Sequence, residues 1–196
     1  MCLVEQARYA VDAAIDVIQL RERDLEAGAL ADLASRLVAV TRGSSTRLVV
    51  NERLDVALAV GADGVHLRSD SFDAEGVRRS APAGFLVGRS IHSLAELRVA
   101  GPVDYVIAGT VWATPSKPGK QDLLGVDGLA VIAASSPVPV VAIGGIDASR
   151  APRLASAGAA GLAGISIFQG CSPDFGAIAL RDTAEVLHKA FSTGNM

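Results

Sequence analysis

Val140-Val141-Ala142-Ile143-Gly144-Gly145-Ile146-Asp147 is an apolar, β-branched run that stops at two glycines and passes into a helical pattern. That is the signature of a buried strand feeding a helix through a tight turn. Working outward, six more runs of this kind recur: Asp16 to Leu20, Arg47 to Val50, Gly64 to Leu67, Phe85 to Val87, Asp104 to Ala108 and Gly161 to Ile165, with Val138 to Ile143 as the parent. Between them lie Ala/Leu/Arg/Glu segments at helical spacing: Leu25 to Ala39, around Ala57, Ser93 to Ala100, Gly128 to Ala134 and Ala148 to Ala157. Strand alternates with helix throughout, which demands a parallel sheet with right-handed crossovers, either a TIM (β/α)8-type barrel or an open doubly wound sheet. The barrel is favoured because polar and glycine residues follow nearly every strand end (Arg21, Asn51, Arg68, Ser90, Thr110, Gly144, Ser166), whereas an open sheet gathers its site at one switch point. Residues 1–196 are expected to form one barrel-type domain. Only seven strands are found, and Leu3 to Ala14 is a helical pattern leading directly into Asp16 to Leu20, so the usual first strand is expected to be missing from this chain. The edge so exposed would be covered by a homo-oligomeric partner, a neighbouring segment or upstream sequence.

The 196 residues are 50% hydrophobic and carry a net charge of -3, which excludes a disordered chain because apolar surface is ample to offset ordering entropy. No apolar run nears the length of a membrane span. Cys2 and Cys171 stand at opposite ends and form neither a metal knuckle nor a disulfide framework, which fits a reducing cytoplasm. Without a Lys/Arg block there is little to displace counterions from nucleic acid, so phosphorylated small molecules are the expected partners, with no nucleic acid and no membrane.

In Gln19-Leu20-Arg21-Glu22-Arg23, strand alternation puts Gln19, Arg21 and Arg23 on one side. Two forked, permanently charged guanidiniums suit a diphosphate, while pairing with Glu22 at a rim is the bland alternative. Glu52, after Asn51, and Asp70, after the third strand, come from neighbouring loops and can hold Mg²⁺ with substrate oxygens and water; taken alone, an Asp in a loop is more often a turn residue. Thr110 to Lys120 is long and rich in hydroxyls, Pro and Lys, the character of an active-site lid, with Thr114, Ser116 and Lys117 offered to an anion. Gly144, Gly145, Ile165 and Ser166 follow the last two strands, where barrels bind phosphate through backbone amides, and the glycine pair also reads as a tight turn. His66, His92 and His188 have no neighbours forming a zinc set or a triad and receive no catalytic role.

Taken in order, Gln19 to Arg23, Asn51-Glu52, Gly61-Ala62-Asp63-Gly64-Val65-His66-Leu67, Gly88-Arg89-Ser90, Thr114-Pro115-Ser116-Lys117, Ile143-Gly144-Gly145-Ile146 and Ile165-Ser166 resemble the thiamin phosphate synthase and thiazole tautomerase family. The resemblance implies a thiamin-biosynthetic transferase. It would join aminopyrimidine methyl diphosphate to thiazole phosphate through a pyrimidine carbocation, with Mg²⁺ holding the leaving diphosphate. It assigns Gln19, Arg21, Arg23, Asn51 and Lys117 to the diphosphate and Ser90 to the neighbourhood of the pyrimidine. Thr114, Ser116 and the Gly145 and Ser166 region fall to the thiazole phosphate; of the metal ligands the resemblance covers Glu52, with Asp70 one residue before the second position and able to serve through a shifted loop. The synthase pattern has Lys at Arg23, Asp at Glu52, Thr at Ser116 and a second metal-ligand Asp at Ser71; the tautomerase branch has its catalytic His at Thr110. The Leu67 to Phe72 and Gly88 to Ser93 segments look like the tautomerase branch. Gln19 and Thr114 to Lys117 follow the synthase, which is therefore the expected activity. The alternatives are a tautomerase-like isomerase and a non-catalytic thiazole or thiamin phosphate binder.

Overall fold

The computed structural model describes residues 3–114, 122–169 and 176–194. Along the chain run α1 (Leu3–Asp12), β1 (Val17–Leu20), α2 (Ala27–Thr41), β2 (Arg47–Asn51), α3 (Leu54–Val60), β3 (Gly64–Leu67), α4 (Ala74–Ser80) and β4 (Leu86–Ile91). There follow α5 (Leu94–Arg98), β5 (Tyr105–Gly109), α6 (Gly125–Ser135), β6 (Val140–Ile143), α7 (Ala151–Ser156), β7 (Gly161–Ala163), α8 (Ser166–Gln169) and α9 (Gly176–Thr193). The strands form one sheet in chain order, β1 to β7. This is the parallel β/α alternation of a TIM-barrel-type fold, as the runs of Val and Ile require. Two compact units divide the chain, Met1–Gly88 with Cys171–Ala184 and Arg89–Gly170 with Glu185–Met196.

In the first unit β1, β2 and β3 pair in parallel, with Gln19 beside Val49, Val50 beside Val65 and Asn51 beside His66. Leu48, Val49, Val50, Val65 and Leu67 are wholly buried, so the middles of β2 and β3 have no solvent face and read as apolar runs, whereas β1 is buried only at Leu20. Asp63 ties β2 to the start of β3: one carboxylate oxygen takes Arg47 at 2.9 Å and the other accepts the Leu48 amide at 2.8 Å. α3 ends at Gly61 in the left-handed conformation, a natural helix stop. Gly64 opens β3 because a Cβ there would stand 2.6 Å from that of Leu86.

In the second unit β5, β6 and β7 are parallel, with Val106 beside Val140, Gly109 beside Ile143 and Ile143 beside Ala163. Ile91, Val106, Ala108, Val140, Ala142, Leu129, Ile132 and Leu154 make its core. Its carboxyl-end loops are set by Val111, whose amide donates to Ile143 O at 2.9 Å, and by Trp112, whose amide donates to Gly144 O at 3.2 Å.

All seven anticipated strands are present; several ends shift by one or two residues, and two shifts change where a candidate site residue lies. β4 runs on to Ile91, so Ser90 belongs to a strand rather than to the loop beyond it; polar Arg89 and Ser90 disguise the continuation, although Arg89 is buried. The last strand stops at Ala163, and Ser166 opens α8 instead of closing a strand. Helix α4 is a further addition. Its sequence carries few apolar residues, and Asp73 starts it by accepting the amides of Glu75 and Gly76.

Candidate active site

In the first unit the expected anion ligands lie at strand ends. Gln19 is in register with Val49, two residues before Asn51, and the Gln19 amide donates to Asn51 Oδ1 at 2.9 Å, fixing both side chains. Arg21 and Arg23 follow β1 and are exposed. The Arg21 pKa is held below the usual arginine value, first by partial desolvation and then by the positive charges of Arg23 and Arg68. Three guanidiniums therefore share one field, an arrangement suited to a multiply charged anion.

Arg68 is the member that spacing does not single out, entering the sequence reading only as a strand-exit residue. Its amide donates to Glu52 Oε1 at 2.8 Å, and its guanidinium meets Asp70 Oδ2 at 2.5 Å. Glu52 holds a left-handed backbone (φ 64), and its own amide donates to His66 O at 3.0 Å. The two carboxylates expected to hold Mg²⁺ are thus both engaged by Arg68. Ser71, next to Asp70, has a buried hydroxyl without a hydrogen-bond partner and offers no anionic oxygen. No group of three or more His, Cys, Asp or Glu side chains suited to a metal occurs among the described residues. A hard divalent cation wants several free anionic oxygens, and this donor set does not fit it.

The second unit carries the expected thiazole-side residues. Gly144 (φ 106) and Gly145 (φ 63) both adopt backbone conformations that other residues avoid. A Cβ on Gly144 would stand 3.0 Å from Thr110 Cα; one on Gly145 would stand 2.7 Å from Ala113 O and 2.8 Å from Trp112 Cβ. The glycine pair is thus what allows the β6 exit to lie flat on residues 110–113. Arg150 braces the same turn from outside: its guanidinium donates to Gly145 O and stacks on Trp112, 5.2 Å from the ring centre, with Arg153 at 5.8 Å. Neither arginine figures among the expected site residues, although Arg150 and Arg153 lie at helical spacing on the segment entering α7. Asp147 accepts the amides of Ser149 and Arg150, and its carboxyl pKa is held below the usual value by the Ser149 hydroxyl first and then by Arg150.

Thr114 is half-buried, and Ile165 and Ser166 are exposed beside α8. Ser116, Lys117 and the rest of the expected lid from Pro115 onward lie outside the described residues. Ser90 is half-buried near the end of β4. Two residues on, the His92 amide donates to Glu96 Oε2 at 2.6 Å and the ring Nδ1 pairs with Gly109 O, so this imidazole is fixed beside Thr110 by local structure. Thr110 itself is buried.

Among the described residues no helix is long and apolar enough to cross a membrane. The sequence model of one family, described as thiamine monophosphate synthase, matches residues 1–168. A thiamine-phosphate synthase of Methanoregula boonei is 41% identical over 183 residues, 92% of this chain and 84% of that one. One from Azorhizobium caulinodans is 37% identical over 166 residues, 84% of this chain and 78% of that one. Among solved structures, thiamine phosphate pyrophosphorylase from Pyrococcus furiosus superposes with a TM-score of 0.84 at 32% identity, covering 98% of this chain and 91% of that one. With strand-end arginines, a paired Gln19 and Asn51, and a glycine turn after β6 in the order the resemblance requires, this chain belongs to the thiamine monophosphate synthase family.

Proposed function

We propose that the chain is a transferase of thiamin biosynthesis that joins aminopyrimidine methyl diphosphate to thiazole phosphate and releases diphosphate. The observation that carries this is the set of Arg21, Arg23 and Arg68 guanidiniums at strand exits, beside the Gln19–Asn51 pair. When the carbon–oxygen bond to diphosphate breaks, both bonding electrons leave with the oxygen; the resulting cationic methylene carbon is taken by the thiazole ring nitrogen. The charge that develops is on the leaving oxygens, and fixed donors already aimed there lower the barrier without reorganising. Gln19 and Asn51, held by each other, position the diphosphate, with Arg21 and Arg23 as its charge partners. Ser90 belongs to the pyrimidine end, and Thr114, Gly144, Gly145, Ile165 and Ser166 to the thiazole phosphate; Ser116 and Lys117 complete the two phosphate sites in this reading. No step is routed through Mg²⁺, because Glu52 and Asp70 are engaged by Arg68.

The substrates are small and phosphorylated, and a cytoplasmic location, with a homo-oligomer as an open assembly, accords with the reading. The isomerase alternative lacks an imidazole where its branch has one, since Thr110 stands there buried against Gly144. A hydroxyl is a poor proton shuttle near neutral pH. Incubating the chain with both substrates, with and without Mg²⁺, tests the proposal. Formation of thiamin phosphate with one equivalent of diphosphate is expected. Binding of thiazole phosphate with no product under either condition would favour the non-catalytic binder.

A further inference from the structure

We infer that Arg68 is a third guanidinium for the diphosphate, and that with Arg21 and Arg23 it lets this chain bind diphosphate without a divalent cation. The inference rests on the proposed function for the identity of the anion, but its grounds are geometric. Asn51 pairs with His66, so Glu52 and Arg68 leave adjacent strands at neighbouring positions, and the Arg68 amide clasps Glu52 Oε1 at 2.8 Å. The guanidinium is directed over the same loop by Asp70 at 2.5 Å. One oxygen of each carboxylate that would anchor a metal here is engaged by Arg68, that of Glu52 by its amide and that of Asp70 by its guanidinium, and Ser71 adds only an unpartnered hydroxyl.

The lowered pKa of Arg21, from partial desolvation first and then from the charges of Arg23 and Arg68, agrees with this placement. Three guanidiniums against two carboxylates leave the cluster cationic and suited to an anion. The Arg68–Asp70 pair is half-exposed, with side-chain exposures of 47% and 65%, and contributes little by itself. A diphosphate presenting several charged oxygens to the fork can displace Asp70 from it.

The sign of one substitution separates this from metal ligation. Calorimetric titration of the full chain with inorganic diphosphate, in chelator and again with Mg²⁺, is the experiment, with thermal unfolding of each variant as a check on folding. Binding in chelator is expected, with Mg²⁺ changing the Kd less than about threefold. Arg68→Ala is expected to weaken metal-free binding by about tenfold or more, as loss of charge-assisted hydrogen bonds does. Asp70→Ala, which releases Arg68, is expected to leave the affinity unchanged or raise it. Binding that appears only with Mg²⁺, an Asp70→Ala variant that loses affinity, or an Arg68→Ala variant that binds like the parent overturns the inference. The proposed function is judged separately by product: thiamin phosphate formed by a chain that binds diphosphate only with Mg²⁺ sinks the Arg68 reading alone. Metal-free diphosphate binding without product sinks the transferase alone.

Discussion

Glu52 is the residue at which structure and function pull against each other. A glutamate gains nothing from a left-handed backbone, which costs about 1–2 kcal/mol relative to a right-handed one, yet Glu52 keeps φ 64 because its amide reaches His66 O and its carboxylate reaches the Arg68 amide. Two substitutions separate strain from contact. Glu52→Gly removes both the strain and the carboxylate, whereas Glu52→Ala removes only the carboxylate. The glycine variant is therefore expected to be more stable than the alanine variant by about 1 kcal/mol in denaturant unfolding, while both bind diphosphate more weakly than the parent because the backbone amide of Arg68 is no longer anchored, whereas loss of Asp70 frees only its guanidinium. Equal stabilities would mean that the turn is unstrained. Gly145 poses the complementary case on the thiazole side. Gly145→Val would place a branched side chain at φ 63 within 2.8 Å of Trp112 Cβ, displacing residues 112–113. It is expected to weaken thiazole phosphate binding about tenfold or more, measured by calorimetry; an unchanged Kd would move the phosphate elsewhere.

At the scale of the element, the strands were legible because parallel strands buried on both faces need continuous Val, Ile and Leu, and here Leu48 to Val50 and Val65 supply it. β4 was legible only to Val87, since Arg89 is a charged side chain in a buried place and no pattern of apolar residues announces that. α4 escaped for the opposite reason: it is short and mostly polar, and its one clear mark is the Asp73 cap. Glycines at strand starts carry a different meaning from those in turns. Gly64 has an ordinary strand role, but a Cβ there would collide with Leu86, so β3 is seated where only a hydrogen fits. Gly64→Ala is expected to destabilise the protein by about 3 kcal/mol through overpacking. Gly28→Ala, in α2 where nothing lies within 4 Å of the added carbon, is expected to stabilise slightly. Comparing the two thermal unfolding midpoints checks the contrast, and a similar loss in both would locate the cost in something other than the Leu86 contact.

For the whole molecule, the family was legible because many weak motifs recur in a fixed order, although no single one decides. The side-chain direction of Arg68 was not, because spacing fixes which strand a residue follows and not which carboxylate it grips. Titration behaviour is another whole-molecule property hidden from spacing. Asp55 is held below its usual pKa chiefly by the two hydrogen bonds from Arg53 (2.9 and 2.7 Å), and Asp147 chiefly by Ser149. Groups with depressed folded-state values contribute stability that is present above the unfolded value of about 3.9 and is lost as pH falls through the folded one. Both are exposed, so screening by solvent keeps this acid edge shallow. Tyr105 sets the opposite edge. Burial first, and then the negative charge of Asp104, raise its phenol well above the ordinary value of 10.0. The folded chain therefore holds that proton more tightly than the unfolded one, so the contribution is complete below about pH 10 and is lost as pH rises further. Thermal stability is expected to plateau through neutral pH, to decline gently below about pH 4, and to fall more steeply above about pH 10. Tyr105→Phe should flatten the alkaline fall while leaving the acid side as it was. If the variant and the parent lose stability in parallel between about pH 9 and pH 11, the alkaline edge belongs to another group.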